Sequence, residues 1–392
     1  MTPVRISIIA IVLSVGCIQG GNGILGTLLP LALDQAGYPV SAVGFVVTGH
    51  AIGFMAGSFT GGQLIREFGL TRAFVGFAAL AALSTISFAL ATDPWLWGVL
   101  RAFVGFGLAG LFVIAESWLN QATDNVHRGS LMGLYQLTQK IAYAFGQAAI
   151  ATGASDLLFF AVAAAAFATA SVPVASSTGA RPPPPRLARI GMWTFFRRVP
   201  SAAAGCFASG LINNPVAGMA PIFGTGIGMS SARSAILVAT MQLGSLFVQW
   251  PMALYSDRLD RRWVMLACAG TAAAASVGVV TIGMRVEWML HVLFALWGAA
   301  ALSTYAICVA QANDRAPRGA AVAISGSLQL LWSVGSVSGP FLATLVIGWL
   351  GPAGLFVYGA TLSTTLALFI AWRLRVRPPS LPVPTHIQKD HL

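Results

Sequence analysis

Twelve long apolar stretches run through this chain, and the basic residues between them fall almost entirely on alternate connections. The stretches cover roughly 6–33, 42–65, 73–92, 96–119, 130–153, 157–174, 201–222, 232–254, 264–284, 288–311, 320–347 and 354–372. About 20 helical residues cross the roughly 30 Å of hydrocarbon in a bilayer. Lipid offers the backbone no hydrogen-bond partners, so segments of this kind cross it as helices. Only 8% of the 392 residues are charged, against about 25% in a soluble domain. The chain cannot cover itself in water, and the lipid bilayer is its expected solvent.

The net charge of +11 would point to nucleic acid in a soluble protein. Here its placement gives the simpler account, because cytoplasmic loops of membrane proteins collect Lys and Arg. With the N-terminus inside, 18 of the 22 basic residues lie in cytoplasmic segments. The outer loops hold Arg233 and Arg285, against Asp34, Asp93, Asp156 and Glu287. The even span number puts both termini in the cytoplasm. Trp95, Trp97, Trp118, Trp263, Trp288, Trp349 and Trp372 fall at span ends and are expected to be interfacial anchors. No nucleic-acid partner, cofactor or metal is expected. Cys17, Cys206, Cys268 and Cys308 lie in apolar segments without a CxxC pair, which argues against a disulfide framework or metal site.

The connection 175–200 is longer than the others. It contains RPPPPR, Arg181 to Arg186, and then mixes Arg with Ile190, Trp193, Phe195 and Phe196. An extended polyproline segment followed by a short interfacial helix is expected there. This linker divides the chain into an N-terminal six-helix bundle, 1–174, and a C-terminal one, 201–372, with a tail at 373–392. The halves echo each other. GGQLIREFGLTR follows span 2 and MALYSDRLDRR follows span 8, with Gly62 aligning to Ala253. The expected fold is an all-α membrane protein of twelve transmembrane helices in two pseudo-symmetric bundles. Repeats of this kind mark transporters whose site lies at midplane between the repeats.

At these residues the chain resembles the major facilitator superfamily. Asp257, Arg258, Arg261 and Arg262 match the family's loop pattern in the second copy, with Asp260 replacing a Gly. In the first copy Gly62 and Gly69 match, while Arg66 stands where the family has Asp. Span 4 carries RAFVGFG from Arg101 and span 11 carries GSVSGP up to Pro340. Arg66, the VIAESWL run around Glu116, Gly146–Gln147 and QWP at Gln249 to Pro251 are most similar to the YcaD-like bacterial branch. The resemblance implies a bacterial inner-membrane secondary transporter, and not an enzyme. Gly105 to Gly110 spells GxGxxG, but a dinucleotide site needs that motif between a strand and a helix. Inside a span, small residues instead let helices approach closely.

A charge at a helix centre costs about 2.5–3.5 kcal/mol, so charges inside the spans carry information. Lys140 lies near the middle of span 5 and shares a helical face with Gln136, Gln139, Tyr143 and Gln147. The face reads as a solute or counter-ion contact, or else as a structural tie. The resemblance makes Arg101 a buried residue serving either coupling or structure. Glu116, near the inner end of span 4, is a candidate latch to Arg66 or Arg72, a proton carrier or a static pair. His50 is a candidate proton site or a neutral interhelical hydrogen-bonding group. Gln19 and Asn22 in span 1, Asn213 and Asn214 before Pro215 in span 7, Gln242 in span 8, Tyr305 in span 10, and Gln329 and Trp332 in span 11 are further cavity candidates. Pro215 is expected to kink span 7 and free carbonyls for solute.

The function expected is alternating-access transport of a small organic solute by a monomer. A lone midplane Lys without a matching acid leans toward an anionic or zwitterionic solute. Proton coupling stays open, as does drug or metabolite efflux by antiport. The family's antiporter Gly-Pro is absent from span 5, where Gly146–Gln147 stands. A non-transporting sensor on the same scaffold is the alternative from another class.

Overall fold

The structure is a computed structural model that describes residues 3–121, 128–172, 199–256, 260–314 and 321–376. The linker, the tail beyond 376, and the loop positions Asp257 and Arg258 lie outside the described residues. Twelve α-helices of fourteen residues or more account for nearly all of the rest. The first six are α1 (Pro3–Gln35), α2 (Val40–Phe68), α3 (Leu70–Ser87), α4 (Pro94–Gln121), α5 (Arg128–Ala149) and α6 (Asp156–Thr169). The second six are α7 (Pro200–Gly226), α8 (Ser231–Ser256), α9 (Arg261–Thr281), α10 (Glu287–Asp314), α11 (Ala321–Leu350) and α12 (Gly354–Val376).

The two sets of six pack by one scheme. In the first, α2 lies on α4, α1 on α5 and α6, and α3 on α4 and α6. In the second, α8 lies on α10, α7 on α11 and α12, and α9 on α10 and α12. Adding six to each helix of the first set gives the second. The main seams between the sets, α2 with α11 and α5 with α8, obey the same rule.

Among the described residues, seven stretches are long and apolar enough to cross a membrane on length and composition alone, the last spanning both α11 and α12. The helices that fall short have physical reasons for it. The apolar α6 has 14 residues. In α5 and α7 polar side chains such as Lys140 and Asn213 dilute the hydropathy.

Glycine sets the closest approaches. A Cβ on Gly53 would stand 1.8 Å from the Ala102 carbonyl oxygen, and one on Gly49 2.3 Å from that of Gly98, so α2 and α4 touch backbone to backbone. On the matching pair, α8 and α10, Gly298 would meet the Met241 carbonyl at 1.8 Å and Gly244 that of Ala295 at 2.1 Å. The GxGxxG run does the same work. Gly105 faces the His50 carbonyl and Gly107 that of Phe77. Gly69, at φ 79°, is the only residue between α2 and α3, and that left-handed turn suits a residue without a Cβ.

Two of the expected interfacial tryptophans are core residues. Trp97 is 1% exposed because its indole N–H donates to the Phe88 and Ala91 carbonyls and closes the α3–α4 turn. Trp118 is also buried, while Trp95, Trp263, Trp288, Trp349 and Trp372 are exposed.

The end of the molecule that carries the α1–α2 turn is tied across the halves. Thr225 donates to Asp34 at 2.7 Å, and Gln35 donates to Ser231 at 3.0 Å. Gly44 of α2 packs against Thr344 of α11 and Met219 of α7.

Candidate functional site

A chain of hydrogen bonds crosses the first bundle near mid-height. Gln19 of α1 donates to Gln139 of α5 at 3.0 Å. Asn22, one turn along α1, donates to Gln19 Oε1 at 3.3 Å. Arg101 of α4 donates through Nη2 to Asn22 Oδ1 at 3.1 Å. Four residues singled out by type alone are thus joined across three helices.

Arg101 is 6% exposed, and its Nη1 has no hydrogen-bond partner. No ion pair to a carboxylate is found for it among the described residues. It borders a cavity of about 110 Å³ lined also by Gly26, His50, Tyr143, Asn214 and Ala217. The walls therefore come from α1, α2, α4, α5 and α7, and the cavity lies between the halves. The close contact of α2 with α4 sets His50 beside Arg101, since Gly105 admits the His50 backbone. In the second half, His291 of α10 accompanies the Glu287 carbonyl of its own helix at 3.0 Å.

Lys140 does not hang free in this cavity. Its ammonium donates to Ser245 of α8 at 2.9 Å, and Ser245 donates in turn to the Gln242 carbonyl at 2.7 Å. Lys140 thus spans the α5–α8 seam. The polar face of α5 fans out from solvent to core. Gln136 is exposed, while Gln147 is fully buried with neither amide atom partnered.

Across the gap, Tyr305 donates to Gln329 at 2.7 Å. Trp332 joins Tyr305 to Phe54 of the first half, with ring centroids 6.1 Å apart on each side. Glu116 is exposed and lies beside Tyr135 and near Tyr305. Tyr135 is itself fully buried. Arg66 and Arg72 are exposed, and no ion pair joins either to Glu116 among the described residues. Arg261 pairs instead with Asp314 of α10 at 2.5 Å.

Span 7 is α7. The helix continues through Pro215. Asn213 donates to the Ala301 carbonyl at 3.0 Å and Asn214 to that of Ser336 at 2.7 Å, so both amides serve helix–helix contacts. Pro215 does deprive the Leu211 carbonyl of its helical donor. The Tyr358 hydroxyl supplies a replacement at 2.7 Å.

Residue type alone did not mark Ser245, Tyr135, Phe54 or Tyr358. Only Tyr358 had a readable signal, since a buried interior proline creates demand for a donor nearby. Among the described residues no cluster of His, Cys, Asp and Glu is placed to hold a metal.

The sequence profile of the Major Facilitator Superfamily matches residues 11–239 and, overlapping, 202–391. An uncharacterised MFS-type transporter of Yersinia enterocolitica is 25% identical over 327 residues, covering 83% of this chain and 84% of its own. YcaD of Salmonella newport, likewise an uncharacterised MFS-type transporter, is 25% identical over 354 residues, covering 88% and 90%. In fold, the crystal structure of the nucleoside transporter NupG superposes with a TM-score of 0.76 at 12% identity, covering 96% of this chain and all of that one. The repeated six-helix packing, the double profile match and full-length relatives of the YcaD type place this chain in the major facilitator superfamily, as a multi-pass membrane transporter.

Proposed function

We propose that this transporter moves a small anionic or zwitterionic organic solute by alternating access, with the two bundles rocking about a central site. The observation that carries the reading is the charge balance inside the spans. Arg101 and Lys140 lie within the bundle, and neither pairs with a carboxylate among the described residues. Uncompensated positive charge in a span is costly, and an anionic group on the solute offsets it during each cycle.

The loop charges support an orientation with both termini in the cytoplasm. The end tied by Asp34–Thr225 and Gln35–Ser231 then faces outward, which supports reading the described state as inward-facing. Exposed Glu116, Arg66 and Arg72 at the other end fit an opened inner gate whose latch is released. The solute is handled by a single chain, 1–174 and 201–372 being its two moving bodies.

A thermal-shift screen of purified protein against metabolites tests the reading first, because a ligand of the folded state raises the unfolding temperature. Hits are then followed as uptake into proteoliposomes with and without a pH gradient. Saturable uptake of organic anions or zwitterions is expected. Uptake confined to cations would overturn the charge assignment.

A further inference from the structure

We infer that the cavity beside Arg101 receives the head of a small amino-acid-like zwitterion, its carboxylate on Arg101 and its ammonium on neutral oxygen acceptors of α1 and α7. The inference rests on the transporter reading above and names the solute class.

The anion pole is Arg101. Its Nη2 is engaged by Asn22, while Nη1 is enclosed without a partner. A buried donor left unpaired carries its full desolvation cost. A carboxylate is the acceptor that matches a guanidinium fork.

The acceptor pole comes from two prolines. Pro30 stands four residues after Gly26 in α1, and Pro221 four residues after Ala217 in α7. Proline has no N–H, so the carbonyls of Gly26 and Ala217 lack their helical donors. Both residues line the cavity. Two further interior prolines, Pro215 and Pro340, provide a contrast. Pro215 deprives Leu211 and Pro340 deprives Ser336, and those carbonyls are served by Tyr358 and Asn214 respectively. Asn214 also borders the cavity, and with its Nδ2 committed to Ser336 its Oδ1 remains an acceptor. No Asp or Glu lines the space, so the acceptors within reach of an ammonium on the α1 and α7 side are neutral oxygens.

Size limits the guest. The space measures about 110 Å³. That suits an amino-acid head with a short side chain, and Val46 and Val47 of α2 give that side chain an apolar wall.

The test uses the purified full chain with L-alanine, propanoate and L-alaninamide as probes at constant ionic strength, read by titration calorimetry and thermal shift. L-Alanine is expected to bind at least about tenfold more tightly than either analogue, because each analogue leaves one pole unpaired. Arg101→Gln should abolish the preference for alanine over alaninamide. Pro221→Ala returns an N–H to the Ala217 carbonyl and should weaken alanine several-fold while leaving propanoate unchanged. Ala217→Leu fills the cavity with Arg101 intact and should abolish alanine binding, so the test survives an Arg101 variant that does not fold.

Propanoate binding as tightly as alanine overturns the inference, and so does the absence of saturable alanine binding. Alanine binding that persists in Ala217→Leu overturns it too. A transported anion whose binding ignores Ala217→Leu would sink this site and leave the transport reading standing. Alanine binding with the expected pattern but no uptake of any solute would do the reverse.

Discussion

The Tyr358 hydroxyl of α12 donates to the Leu211 carbonyl of α7 at 2.7 Å, occupying the acceptor that Pro215 leaves open. Hydrogen bonds between membrane helices average about 0.6 kcal/mol and reach about 1.7. Tyr358→Phe is expected to lower stability within that range. In a Pro215→Ala background the helix recovers its own donor, so adding Tyr358→Phe should then cost less. Thermal unfolding of the four proteins of this cycle measures the difference, and equal losses in both backgrounds would refute the coupling.

The α2–α4 contact gives a second test. Gly53→Val drives a side chain into the Ala102 carbonyl, and overpacking of this kind costs about 1–3 kcal/mol. Gly62→Ala, where an added Cβ meets nothing within 4 Å, should stay within about 0.5 kcal/mol of wild type. Similar unfolding temperatures for the two variants would contradict the packing described.

Lys140 separates a charge effect from a mechanical one. Lys140→Ala is expected to weaken solute binding more than about tenfold, in line with losing one partner of a desolvated charge pair. Ser245→Ala removes the bond across the α5–α8 seam but keeps the charge. It should leave equilibrium binding nearly intact and change the rate of exchange between states. Identical binding losses in the two variants would make Lys140 a structural tie.

The Glu116 latch is a statement about a state in which the inner end is closed. Glu116→Gln is expected to slow turnover in proteoliposomes more than it weakens binding. The exchange Glu116→Arg with Arg66→Glu, or with Arg72→Glu, should partly restore the rate for the correct partner. Unchanged turnover in Glu116→Gln would remove both the latch and a proton-carrier role.

Orientation is checked with reporters fused at Asp34, Asp93 and Asp156, all expected outside. Two inside signals among the three would reverse the assignment of the sealed end.

Much of this architecture was legible because lipid imposes strong rules. Span length, loop charge and the Gly62–Ala253 echo follow from helix geometry and translocation, and they carry enough signal to be read one residue at a time. Polar span residues are legible as a class but not by role. Gln19, Asn22, Gln139 and Arg101 formed one network, whereas Asn213 and Asn214 turned to neighbouring backbones. The difference depends on which helix stands opposite, and a linear pattern does not hold that information. Trp97 misled for a similar reason. Its position at a span end suited an interface, but the α3–α4 turn offered two carbonyls closer to hand. The cavity brings Pro30 of α1 and Ala217 of α7 together with Arg101 of α4, and none of these is unusual in its own segment apart from the Arg.

Backbone contact at Gly49 and Gly53, mirrored at Gly244 and Gly298, has a mechanical consequence. Helices that meet main chain to main chain have no soft layer in which to slip. The seams between halves, by contrast, are upholstered with side chains such as Phe54, Trp332, Lys140 and Ser245. Stiffness is thus laid down inside each bundle and compliance along two narrow strips. A covalent staple from α2 to α11 should freeze the machine, while one from α2 to α4 should pass unnoticed.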